Sequence, residues 1–164
     1  MSSQNKLKIT AEPARQELHI IREFEAPRDV VFKAFTDPEF LVRWLGPKNM
    51  TMTIEYYDAR SGGSYRYIHT DPAGRRYAFR GVIHEVLAPE RLIQTFEFEG
   101  LPEGGHVSME IAIFEVLDGK RTKLTIQSVF RSVSDRDVMV KSGMEKGLSE
   151  GFARLDEIFT NEIP

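Results

Sequence analysis

With 164 residues and no internal repeat, the chain has the length of a single domain. Hydrophobic residues at 41% are too many for a disordered chain, and 22 basic against 25 acidic residues leave a net charge of −3, which offers nothing to nucleic acid. Cysteine is absent, which excludes disulfides, thiolate metal sites and a Cys nucleophile, and no apolar run approaches the roughly 18 residues a membrane span needs.

The opening residues Met1 to Lys6 lack the apolar core of a signal peptide, so a cytoplasmic domain without membrane insertion is expected. Residues 1–15 are polar and carry Pro13, which predicts a flexible N-terminal arm, with the domain occupying 16–162. Leu18, Ile20 and Phe24 mark a first strand. Pro27 suits the first turn of a helix that buries Val31, Ala34 and Phe35. Asp37-Pro38 repeats the device, with Asp37 as N-cap, and Gly46-Pro47 ends this second short helix after Trp44.

Strands follow at 50–57, 64–70, 76–86, 92–98, 107–116 and 122–130, separated by turn sequences such as Asp71-Pro72-Ala73-Gly74. Gly81 inside the third of these predicts a bulge or sharp bend. From Ser134, paired with Asp137 as a capping box, one uninterrupted helix is expected to reach Asn161. Its apolar stripe is Val140, Met144, Leu148, Phe152, Leu155 and Phe159. Along one edge of that stripe stand Gly143, Gly147 and Gly151, each costing about 0.8–1 kcal/mol against Ala. They let the backbone pack closely, or leave volume for a guest. The pattern β–α–α–β6–α gives an α+β fold, a curved antiparallel sheet of about seven strands under a long C-terminal helix.

Several stretches, in this order, carry a resemblance. Phe32-x-Ala34-Phe35-Thr36-Asp37-Pro38, Arg43-Trp44-Leu45-Gly46-Pro47 and Gly62-Gly63-Ser64-Tyr65-Arg66 come first. Gly81-Val82-x-x-Glu85-Val86, Pro89-Glu90-Arg91-Leu92, Thr122 to Ile126 and the tail from Gly143 through Leu155 follow. Together they resemble the START-like superfamily (SRPBCC, Bet v 1-like), in its branch of activator of Hsp90 ATPase homologues, over residues 17–159. That resemblance implies a helix-grip fold with a cavity between sheet and helix, and associates the chain with chaperones and the stress response. Two positions depart from the family pattern: Phe152 and Leu45 stand where relatives commonly carry Trp.

Specific chemistry is sparse. Gly147-Leu148-Ser149-Glu150-Gly151 matches the serine-hydrolase pattern, but helical periodicity runs through it, so Ser149 reads as a surface helix residue. The four His residues show no metal-ligand spacing, and no metal or cofactor is expected. Tyr65, Tyr67 and His69 share one strand face and could present polar tips to a cavity; Glu85 reads as an ion-pair partner of a neighbouring Arg. The expected site is a dry pocket for a small hydrophobic or aromatic molecule, lined by Trp44, Tyr65, Tyr67, His69, Phe79, Phe96, Met109, Met144, Leu148 and Phe152. The competing expectations are a chaperone-binding module and a cofactor-free, cyclase-like enzyme using the same cavity. No catalytic residue is assigned, and both monomer and homodimer are compatible with the sequence.

Overall fold

A computed structural model of the chain describes residues 6–162. Eight antiparallel strands form one sheet in the order β1-β2-β8-β7-β6-β5-β4-β3. They are β1 (Lys8–Thr10), β2 (Glu17–Phe24), β3 (Thr51–Tyr57), β4 (Ser64–Thr70), β5 (Arg76–Leu87), β6 (Arg91–Phe98), β7 (Ser108–Asp118) and β8 (Arg121–Val129). From β3 to β8 the chain is a meander, the cheapest connection for antiparallel neighbours, and β2 closes beside β8 along its whole length. Helices α1 (Arg28–Thr36) and α2 (Pro38–Leu41) sit between β2 and β3, and α3 (Val133–Lys141) and α4 (Met144–Glu162) end the chain. Among the described residues no helix is long and apolar enough to cross a membrane.

The eighth strand comes from the segment expected as a loose arm. Lys8, Ile9 and Thr10 pair with Ile21, Ile20 and His19, so the sheet has eight strands and not seven. Leu7, Ile9 and Ala11 alternate with exposed Lys6, Lys8 and Thr10 and pack against the core, a short pattern easily passed over among polar neighbours. Arg136, only 3% exposed, locks this segment down: its Nη1 donates to the Glu12 carbonyl at 2.7 Å and the Glu17 carbonyl at 3.2 Å.

The C-terminal helix is also not continuous. α3 ends at Ser142, and Gly143 follows with φ +87°, the left-handed conformation that terminates helices and favours glycine. Its cap lies two residues earlier than expected, Ser132 accepting from the Asp135 N–H at 3.0 Å. Asp135 is the third helical residue, but its carboxylate turns to His106 at 3.0 Å, which holds it below the usual carboxylate range. The break rotates α3, so Val140 is exposed instead of continuing the stripe of α4.

α4 packs through its second half. Phe152 and Phe159 meet Phe24 edge-on at 5.3 and 5.9 Å, and Leu155 is wholly buried. The Arg22 guanidinium, 4% exposed, stacks on Phe24 and bonds Asp156 through Nη2 at 2.5 Å, clamping α4 to β2. At the other end of the domain Asp37 caps α2, accepting from the Glu39 N–H, and Pro27 is the N-cap residue of α1, just before its first turn.

Candidate functional site

Strand alternation sorts the side chains that face α4 from those that face out. On β2, Leu18, Ile20, Arg22 and Phe24 point inward and are buried; on β8, Thr122, Leu124 and Ser128 do the same. The register extends this inner face across the sheet. Leu92, Ala112, Ile126 and Ile20 form one row, and Ile83, Gln94, Glu110, Ser128 and Leu18 form the next.

The two halves of the inner face differ. Toward β2 and β8 it is sealed, with Leu18, Leu124, Phe114 and Leu155 at 1% exposure or less. Toward β5 and β6 an aromatic run leads from buried Tyr67 to half-buried Phe79, Phe96 and Phe98. Tyr67 stacks on Phe79 at 5.3 Å between centroids, Phe79 on Phe96 at 5.4 Å, and Phe98 flanks Phe79 at 5.2 Å. Met144 and Leu148, from the first half of α4, are likewise only half-buried. Beside them, between the segment after α2 and β3, an open cleft of about 320 Å³ is lined by Leu45, Met50, Met52 and Arg154.

Gly81 explains how β4 and β5 fit. An added Cβ would lie 2.1 Å from the Thr95 carbonyl oxygen and 2.5 Å from the Tyr65 hydroxyl. The Tyr65 ring occupies that space, and its hydroxyl donates to the Thr95 carbonyl at 2.6 Å. Opposite Gly81 and Val82 the β5–β6 pairing lapses, and Val82 N–H turns to the Thr95 hydroxyl at 2.8 Å. Pairing thus lapses at this glycine, whose space the Tyr65 ring takes, while the register shift of the strand comes between Ile83 and Glu85.

The residues expected around a ligand separate into groups. Tyr67, Phe79 and Phe96 come together as one run, Tyr67 buried and the two Phe rings half-buried, with Met144 and Leu148 half-buried on α4. Tyr65 is on the same face but 1% exposed, its polar tip consumed by backbone. Trp44 and Phe152 are core: Trp44 packs against Phe35 and Phe152, and its indole N–H donates to the Ala34 carbonyl at 2.8 Å. His69 lies edge-on to Tyr67 and Phe79, with its ring over Gly46, where a Cβ would come within 2.2 Å. Burial, aided by the Arg154 charge, pushes His69 down to about 4, so the ring is neutral near pH 7. Met109 is misplaced in the sequence-based set. It is 42% exposed on the outer face of β7, because the inward positions of that strand are Ser108, Glu110, Ala112 and Phe114. Apolar residues occupy both faces of β7, so alternation alone favoured the wrong one.

The glycines of the tail do not line a cavity edge together. Gly143 breaks the helix, Gly147 faces the Pro47 ring at 3.7 Å, and Gly151 lets α4 approach the Trp44 carbonyl. Ser149 is an exposed helix residue, and Glu85 bonds Arg91 at 2.6 Å.

Glu110 is the residue the sequence reading missed. It stands in the middle of the inner face, where its Oε1 accepts from Gln94 Nε2 at 3.3 Å. Burial raises its carboxyl above the ordinary range, with the Gln94 contact opposing. Its charge in turn adds to the burial that raises Tyr57, Tyr65 and Tyr67, which places all three near it. The available signal was alternation from Phe114: residues 112, 110 and 108 share its face.

The fold is shared with solved bacterial structures. Protein Ms6760 from Mycobacterium smegmatis superimposes with a TM-score of 0.85 at 24% identity, over 97% of this chain and all of that one (100%). A protein from Arthrobacter aurescens gives 0.84 at 26% identity, covering 95% of this chain and 92% of its own. A protein from Rhodobacter sphaeroides gives 0.82 at 25% identity, over 93% and 97% respectively. Among curated proteins none matches significantly. The family model described as Activator of Hsp90 ATPase homolog 1-like protein matches residues 25–160, which include α1, the strands that carry the aromatic run and almost all of α4. The chain therefore belongs to the Activator of Hsp90 ATPase homolog 1-like family.

Proposed function

We propose that this protein binds a small apolar or aromatic molecule against the inner face of its sheet, beneath the first half of α4. Membership of the family is consistent with a ligand-binding or Hsp90 co-chaperone-like module in general. One observation favours the first. The core is closed where Phe152, Leu155 and Phe159 meet β2, yet Phe79, Phe96, Met144 and Leu148 keep accessible surface where a closed core would bury them. Stacked rings beside flexible thioether and leucine side chains suit flat apolar guests of varied outline. Native mass spectrometry and thermal shift with a panel of aromatic and lipid-like molecules test the reading. At least one binder is expected, and Leu148→Trp, which fills the space from α4, should abolish its binding while the fold is retained. If no molecule of the panel binds, the reading is wrong.

A second reading, contact with an Hsp90-type chaperone, draws on the family name and on Met109 and Ile113, both more than 40% exposed on the outer face of β7. Stimulation of a purified chaperone's ATPase, lost on Met109→Asp with Ile113→Asp, would favour it. The two readings use opposite faces of the sheet, so the variants separate them.

A further inference from the structure

We propose that Glu110 is the polar anchor of the inner-face site, and that the guest is an apolar molecule with one uncharged hydroxyl head, an alcohol or phenol and not a carboxylate. The proposal rests on the reading of the inner face as a ligand site.

Most of the sheet's ion-paired carboxylates take a guanidinium, while Glu17 takes His19 and the Gln127 amide at the wet edge of β2. Glu55 and Glu99 pair with Arg66, Glu85 with Arg91, Glu97 with Arg80, and Glu23 with Arg121. Among the described residues Glu110 has only the neutral amide of Gln94. That amide is itself incompletely satisfied: its Oε1 is buried and has no partner among the described residues. Exchanging the amide's oxygen and nitrogen would bring the oxygen to Glu110 and leave the nitrogen unmatched instead. A half-buried pair with a buried, unmatched amide oxygen costs stability compared with apolar residues in the same place. Such an arrangement in the middle of an apolar wall points to a third hydrogen-bonding group.

The surroundings limit what that group can be. Two nearby hydroxyls are already spent, Tyr57 on the Phe35 carbonyl at 3.1 Å and Tyr65 on the Thr95 carbonyl. The Arg22 guanidinium is taken by Asp156, and on α4 Arg154 gives its Nη2 to the Trp44 and Gly46 carbonyls. A carboxylate head would meet Glu110 as a like charge or compete for its proton. A hydroxyl both donates and accepts, so it complements Glu110 in either protonation state.

The test is calorimetric titration of the full chain with three isosteric probes: 2-naphthol, 2-methylnaphthalene and 2-naphthoate. The wild-type protein should bind 2-naphthol at least about tenfold more tightly than 2-naphthoate, as expected for an interaction of ordinary hydrogen-bond strength against a like-charge contact. In Glu110→Leu the preference for 2-naphthol over 2-methylnaphthalene should fall about tenfold. Glu110→Gln can still donate and accept, so it should keep that preference and lose the exclusion of 2-naphthoate. If the probes bind with one rank order in all three proteins, the anchor is refuted and the apolar site stands. If no probe binds the wild type, the inner-face reading fails and the anchor with it.

Discussion

Replacing each tail glycine with alanine in turn applies one chemical change at three positions whose surroundings differ, and the signs of the effects should differ too. At Gly147 the new methyl would lie 3.7 Å from Pro47 Cγ, an ordinary contact. The helix then gains up to about 1 kcal/mol in propensity, worth roughly 2–4 °C for a domain of this size. At Gly151 the methyl would come 2.9 Å from the Trp44 carbonyl oxygen, which also accepts from Arg154 at 2.6 Å. That oxygen is backbone and already bonded, so relieving the contact costs about 1–3 kcal/mol and outweighs the propensity gain. At Gly143 there is open space, but φ +87° costs an L-residue about 1–2 kcal/mol. Urea denaturation followed by circular dichroism gives each change as a shift in midpoint at constant slope. The expected order is Gly147→Ala above wild type, with Gly143→Ala and Gly151→Ala below it. A stabilised Gly151→Ala, or three effects of one sign, would refute the packing described for α4.

Three further outcomes are expected. Asp156→Asn leaves the buried Arg22 guanidinium without its counter-charge and should cost about 3 kcal/mol in the same denaturation assay, most of it recovered in Arg22→Met with Asp156→Leu. His69 is neutral when folded, with a pKa near 4 against about 6.5 unfolded, so its contribution is intact above pH 6.5 and is lost as pH falls toward 4. The loss amounts to about 3 kcal/mol, and His69→Leu should show a correspondingly shallower decline between pH 7 and 4.5 in midpoint-against-pH curves. Gln94→Leu with Glu110→Leu should be neutral or more stable than wild type by about 1–2 kcal/mol in thermal and urea unfolding, since it removes a half-satisfied polar pair. A marked destabilisation would show that the pair serves the fold.

Much of the architecture was legible in the sequence because local signals agreed with tertiary ones. Asp37-Pro38, Gly81 and the turn sequences each demand a backbone geometry that the fold supplies. What escaped was set by partners distant in sequence. The helix break depends on Gly143 adopting a left-handed φ, which spacing cannot distinguish from a packing glycine. Lys8 to Thr10 form a strand where β2 offers an edge, on an alternation of Leu7, Ile9 and Ala11 too short to stand out. Tyr67, Phe79 and Phe96 could be found by alternation within strongly aromatic strands, whereas β7 carries apolar residues on both faces, so Met109 was taken and Glu110 passed over. Trp44 looked like a cavity wall because an apolar ring reads the same whether it lines a space or fills one.

The bond between Arg136 and the carbonyls of Glu12 and Glu17 has a practical corollary for anyone trimming the protein. A shortened version starting at Gln16 would look harmless on paper. It would uncover the free border of β2 and take the Glu12 carbonyl from buried Arg136, so clumping through exposed backbone is the foreseeable outcome. Residues 6–15 are better regarded as a hem than as a loose thread.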